Sequence, residues 1–250
     1  MNLVSKLSKY LAIGLLSFLI WEAAALVVRG AGFPHSWNVA EEITSLVKTS
    51  SFWADFAATI WISTSGFLLG ILVALLLGLL IGLNKNIEIS ARGTLNFIRV
   101  IPSVVLLPLL IASIGSSART AVILSAFVVA STFITYVIRG IADTEKQLID
   151  TSRLIRLPQY AQIFFLYLPS TISLLGTGMR LSASRAFGTA VTAGIVAGTP
   201  GLGARLYMAQ ANSDVNRVFA YVFAMGFTGV VIYSLFTRLE NRLFKWKISV

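Results

Sequence analysis

Long apolar runs separated by short basic stretches dominate the chain. A helix that crosses a bilayer needs about 20 mostly apolar residues at about 1.5 Å rise each. Residues 59–83 hold no charge at all, and 10–28, 119–138, 182–197 and 218–236 are further apolar runs. A further run, 100–114, is short for a crossing and contains Pro102 and Pro108. Extended back to Gly93 it spans, with Arg99 snorkelling near the interface. The pattern predicts an all-α membrane protein of about six transmembrane helices in a single domain over residues 1–250. For the first segment a cleaved signal peptide is the alternative, because Lys6 and Lys9 precede an apolar stretch ending at Ala23, Ala24 and Ala25. Continuation of the run to Val28 favours retention.

Composition agrees. Hydrophobic residues make up 56% and charged residues 12%, against about 25% charged in an ordinary soluble domain. Mean hydropathy is +0.83. Such a chain lacks the polar surface to be a soluble enzyme, a disordered tail or a disulfide scaffold, and it has no cysteine. The net charge of +10 invites a nucleic-acid reading. The basic residues instead cluster at alternate ends of the apolar segments: Lys6 and Lys9; Lys85, Arg92 and Arg99; Arg139, Lys146, Arg153, Arg156, Arg180 and Arg185; Arg238, Arg242, Lys245 and Lys247. The opposite ends are nearly balanced. This is the positive-inside bias of a multi-pass protein with both termini cytoplasmic, and nucleic acid is not an expected partner.

Outside the apolar runs, two connections are long. Residues 29–58 contain the single histidine, His35, read as a solvated loop residue, with Trp37 and Trp53 as interfacial anchors. Between Gly140 and Leu181, residues 143–156 read as a charged amphipathic helix. Pro158 starts a second short helix through Ile163 and Phe164. Such helices either lie on the membrane or dock on a partner.

Small residues recur every fourth position as Gly66, Gly70, Ala74, Gly78 and Gly82, and again as Ser182, Ala186, Ala190, Gly194 and Gly198. Each stripe permits close backbone approach, within one subunit or across a dimer. Pro102 and Pro108 free carbonyls that lipid cannot satisfy, so their segment faces protein or a water-filled cavity. Pro102, Ser103 and Pro108, with Gly188 and Thr192, are the candidate pathway or packing positions. Glu22, the one acid inside a span, lies a turn or two from the outer interface and reads as structural.

Catalytic chemistry is missing. No H-E-x-x-H, G-x-S-x-G or G-x-x-x-x-G-K-[ST] pattern occurs, so the chain is not expected to be an enzyme or to hold a cofactor or metal. ATP and Mg²⁺, where used, belong to another polypeptide. An autonomous ion-driven transporter or channel remains the alternative, against which stand a single intramembrane acid and no clear internal repeat. No span carries a basic cluster, which disfavours a dedicated anion site.

Residues 150–169 add a specific likeness. The membrane subunits of bacterial ABC importers carry a loop of pattern E-A-A, three residues, Gly, nine residues, I-x-L-P. Asp150, Thr151 and Ser152 stand at the E-A-A positions, Arg156 at the glycine, and Leu166, Tyr167, Leu168 and Pro169 at the end of the pattern. Trp21-Glu22, the proline-spaced run 101–109, Gly201-Leu202-Gly203 and residues 214–220 also resemble the nitrate/sulfonate/taurine-type permeases. The resemblance implies a type I importer permease whose loop, about 140–181, forms a coupling helix in a groove of a cytoplasmic ATPase. It implies as site residues Asp150, Thr151, Ser152, Arg153, Arg156, Leu157, Leu166 and Pro169. It further implies alternating access in the bacterial inner membrane, ABC ATPase subunits, a second permease chain, and a periplasmic or lipid-anchored binding protein that sets most of the selectivity. Because Thr151, Ser152 and Arg156 depart from the pattern, the expected partner is a distinct permease, making a heterodimer.

Overall fold

The computed structural model describes the backbone of residues 3–28 and 32–243 and the side chains of 12–28 and 32–242. The charge arguments resting on Lys6, Lys9, Arg29, Lys245 and Lys247 lie outside the described residues. Among the described residues the secondary structure is entirely helical. Helices α1 (Leu3–Val27), α2 (Ser36–Val47) and α3 (Ser50–Gly82) are followed by α4 (Lys85–Val100) and, after a 3₁₀ turn, α5 (Leu107–Ile114). Then come α6 (Ala118–Ala142), α7 (Lys146–Leu154), the one-turn α8 (Gln159–Gln162), α9 (Leu168–Ala197), α10 (Leu202–Ala211) and α11 (Val215–Leu243). By length and apolarity α3, α6 and α11 can each cross a membrane, and α4 with α5 make a fourth, broken crossing. The 25-residue α1 and the 30-residue α9 are also long enough, but α9 is rich in Ser, Thr and Gly and carries Arg180 and Arg185.

Two expectations are corrected. The third span is not one helix from Gly93 to Ile114: α4 and α5 meet at 85°. Pro102 disfavours helical backbone at the residue before it, and Ile101 is extended at φ −63°, ψ 119°. Nor is the helix after Pro158 a separate short element. It passes through a π-helical turn at Ile163–Tyr167 straight into α9, so the fifth span begins well before Leu181. Leu166, Thr171 and Leu175 supply buried positions along it. The polar residues around them lower the apolarity without breaking the helix.

Helix α6 is the central element. The first small-residue stripe lies against it: a Cβ built on Gly66 would sit 2.5 Å from Ser125 Cβ, on Gly70 2.6 Å from the Ala126 carbonyl oxygen, and on Gly78 2.7 Å from Val137 Cβ. On the other side α6 meets α9, where Gly140 abuts Thr171, Gly178 abuts Tyr136, and the buried Ser125 hydroxyl donates to the Ala186 carbonyl at 3.3 Å. Both stripes are thus used within the chain. Lipid offers no hydrophobic drive for helices to associate, so this close contact supplies the dispersion energy that holds them.

Gly201-Leu202-Gly203 docks α10 on the bundle. Gly201 has φ +132°, and a side chain there would strike the Thr59 hydroxyl, which itself accepts the Leu202 N–H at 2.9 Å. Gly203 rests on the backbone of α9 at Val191 and Gly194. At the start of α4, Glu88 is buried and accepts from Lys85 Nζ at 2.9 Å and from Arg92 at 2.7 Å.

Two outcomes follow from this packing. Gly70→Val should cost about 1–3 kcal/mol through overpacking, read as a lower thermal midpoint of the purified chain, while Gly93→Ala, with nothing within 4 Å of its Cβ, should leave the midpoint unchanged or higher.

Candidate functional site

The connection between α6 and α9 builds one compact surface at one end of the bundle. Helix α7 is about two and a half turns of amphipathic helix with one side against the protein. Ser152 is buried and its hydroxyl donates to the Ile149 carbonyl at 2.7 Å, whereas Asp150, Thr151 and Arg153 point outward. The Asp150 carboxylate lies 3.8 Å from the Arg153 guanidinium, both exposed. Such a pair contributes little stability and leaves both charges available to a partner.

The C-terminus of α7 explains Arg156. The Leu157 N–H donates to the Ser152 carbonyl at 2.9 Å, and Arg156 takes the left-handed conformation at φ +52°. This is the reverse turn that closes many helices, and glycine is its natural residue. Although Arg156 departs from the pattern in residue type, the backbone keeps the glycine geometry, at a cost of about 1–2 kcal/mol for a side chain in that region. Pro158, at φ −65°, then starts α8, and Gln162 Nε2 donates to the Leu157 carbonyl at 2.8 Å.

Around this turn the surface is apolar. Leu154 is 83% exposed and Ile155 65%, and Leu148, Tyr160, Phe164 and Phe165 are exposed too. The sequence reading missed these residues, although Leu154 and Ile155 sit inside the pattern it used. Leu166 is buried, Leu157 is half-buried, and Pro169 is exposed near the start of α9. The structure thus divides the expected coupling residues: Asp150, Thr151, Arg153 and Arg156 form the outer face, while Ser152 and Leu166 anchor the loop.

The pathway candidates fall on two open faces. Pro102 and Pro108 are exposed and Ser103 half-buried, while Leu107 between them is fully buried with Leu124, Ala190 and Ala193. Gly188 has nothing within 4 Å of a Cβ, and the Thr192 hydroxyl donates to its carbonyl at 2.9 Å. With Arg185 and Val196 they form an open stripe on α9, turned about 180° from Ala190. The structure does not bring this stripe against Pro102.

At the other end, Glu22 fastens α1 to α2. The His35 Nδ1–H and the Ser36 backbone N–H donate to its two carboxylate oxygens, each at 2.8 Å. Trp21 Nε1–H donates to the Pro34 carbonyl at 3.0 Å, and His35 stacks on Trp37 with centroids 4.2 Å apart. His35 is therefore not a solvated loop residue. The Glu22 carboxylate thus lies where α2 presents unpaired N–H groups. Among the described residues no group of three or more acidic or histidine side chains gathers as a metal site.

A bundle of this kind, with an amphipathic helix between its central and penultimate spans, is a type I ABC importer permease fold. The inward-facing MetNI methionine ABC transporter matches with TM-score 0.67 at 16% identity, over 74% of this chain and 92% of that one. An amino acid ABC transporter crystallised with histidines matches with TM-score 0.65 at 16% identity, over 81% and 97%. The chain belongs to the family described as binding-protein-dependent transport system inner membrane component, whose pattern covers residues 66–245. A probable ABC transporter permease protein of Brucella abortus (strain 2308) is 26% identical over 95% of this chain and 96% of its own length. A putative aliphatic sulfonates transport permease protein, SsuC of Bacillus subtilis (strain 168), is 25% identical over 89% and 81%.

Relief of the strained turn is measurable. Arg156→Gly should stabilise the end of α7 by about 0.5–1 kcal/mol, the left-handed penalty less the greater entropy of glycine, slowing amide exchange across residues 146–157. Arg156→Val, β-branched in the same conformation, should accelerate it.

Proposed function

We propose that this chain is the permease subunit of an ATP-driven, binding-protein-dependent importer for a small organic solute, and one half of a heterodimeric permease. The observation that carries the reading is the outer face of α7, where Asp150, Thr151 and Arg153 lie beside the exposed Leu154 and Ile155. Its polar and apolar halves suit the groove of a soluble ATPase, which binds ATP and Mg²⁺ and performs the hydrolysis. ATPase closure pushes on α7, and the continuous helix from Gln159 to Ala197 carries the displacement into the bundle. Alternating access follows as the open faces of α5 and α9 rock against a second permease chain, with Pro102, Ser103, Pro108, Gly188 and Thr192 at the passage. The left-handed Arg156 supports a heterodimer, because a strained coupling turn is best tolerated beside a partner carrying a glycine.

The positive-inside bias supports an inner-membrane chain with both termini cytoplasmic. The organic-solute reading draws on relatives: besides the sulfonate permease, a formylaminopyrimidine permease of Halalkalibacterium halodurans is 25% identical and a riboflavin permease of Chloroflexus aurantiacus 24%.

The first test is purification of the tagged chain from its native membrane, with partners and stoichiometry read by mass spectrometry. An ATPase pair with a second, distinct permease is the expected result. An ATPase pair with this chain alone keeps the importer and removes the heterodimer; absence of any ATPase removes both. In the intact transporter, Asp150→Lys should abolish uptake while the chain still inserts, and Glu22→Gln should leave ATP-driven uptake in place. Normal uptake by Asp150→Lys contradicts the coupling role. Uptake by the chain alone in liposomes, lost in Glu22→Gln, would establish an ion-driven transporter instead.

A further inference from the structure

Helix α4 is amphipathic in an unusual sense. Glu88, Arg92, Leu95 and Arg99 recur at helical spacing on the side toward α6, while Ile89, Phe97 and Val100 are exposed on the other side. The charged face is turned inward and the apolar face outward, as suits a helix bordered by lipid. Between α4 and α6 lies a cavity of about 280 Å³ lined by Glu88, Arg92, Asn96, Arg99, Thr135 and Arg139. It opens at the end of α6 that leads into α7.

The charges in this cavity do not balance. Glu88 is already met by Lys85 and Arg92. Arg99 donates only to the neutral Thr135 hydroxyl, and among the described residues no carboxylate pairs with Arg139. A guanidinium carries five N–H donors in a planar fork suited to a phosphate or carboxylate. Two such forks beside a membrane helix are costly unless they reach water or an anion. The expectation of no basic cluster holds for each span singly and fails for the fold, because the arginines come from two helices.

We propose that the α4–α6 cleft is a binding site for a phosphate-class anion, with Arg99 and Arg139 as its ligands and Asn96 as a neutral donor. The exposed Val100, next in the chain to Arg99, suits an acyl chain of an anionic phospholipid whose headgroup enters the cleft. A free phosphate ion shares the headgroup chemistry without using that apolar border. The site requires neither the ATPase nor the coupling role of α7.

The test uses the full chain, purified and delipidated in neutral detergent. Phosphatidylglycerol, phosphatidylcholine or inorganic phosphate is added, and binding is read by native mass spectrometry and by thermal midpoint. Phosphatidylglycerol should bind more tightly than phosphatidylcholine and raise the midpoint. Arg99→Gln/Arg139→Gln should reduce that preference on the order of tenfold or more, since each basic residue near an anionic headgroup contributes about one kcal/mol. Arg139→Gln alone, at an exposed position, preserves the fold and should lose part of the preference; Arg238→Gln, outside the cleft, should lose none. A charge-dependent response to inorganic phosphate equal to that of the lipid assigns the site to a soluble anion. Equal binding of both lipids with no response to phosphate, or a preference unchanged in the double variant, overturns the proposal.

Discussion

The fold depends on how closely three helical backbones approach one another. In water, burial of apolar surface would drive α3, α6 and α9 together; in lipid that drive is absent and only contact distance remains to be gained. Glycine at 66, 70 and 78 removes the side chains that would hold α3 away from α6, and the β-branched Val129 and Val137 fill the space so created. Gly140 and Gly178 do the same between α6 and α9. Because α6 is clamped on both sides, its C-terminal end is a fixed point. Everything attached to that end inherits its position.

The α7 surface is attached there. Only residues 143–145 separate α6 from α7, and only 155–158 separate α7 from the helix that becomes α9. Neither link has length to absorb a displacement. Ser152 and Leu166 are buried beneath α7, so it is seated as well as tethered. A force applied to Asp150 or Leu154 therefore passes into α6 and α9 together. The two rods differ in stiffness, since α9 begins after a π-helical turn at Ile163–Tyr167, a local widening at which helices commonly bend.

What the sequence disclosed and what it hid divide along one line. Gly66 to Gly82, the spacing of Asp150 to Pro169 and the kink at Pro102 are local patterns, and each reads directly as a face, a register or a break. The clasp of Glu22 with His35 and Ser36 joins residues in two elements across an irregular turn, and no periodicity announces it. His35 looked solvated because its partner lay 13 residues away in a span. The 85° angle at Ile101 was half legible: the prolines marked a break, but the direction of the chain beyond it depends on Leu107 finding its pocket among Leu124, Ala190 and Ala193. Arg156 shows the converse, where substitution suggested a lost geometry that the backbone retained.

Charge carries the same lesson further. The basic residues at one end of the bundle first read as a topology signal, a sum to which each contributes equally. In the folded chain they are not equivalent. Arg180 is tied to Glu240 at 2.8 Å and lies over Tyr233, joining α9 to α11. Arg185 reaches Thr132 at 2.8 Å, and Arg99 reaches Thr135, so α9 and α4 grip α6 one turn apart. Hydroxyl partners orient a guanidinium without neutralising it, and so the field at that end survives the packing that fixes the side chains. A chain that needed only orientation in the membrane could place its charges on flexible loops. Here Arg99 and Arg185 are held against the central helix, and Arg99 keeps its charge at the α4–α6 cleft.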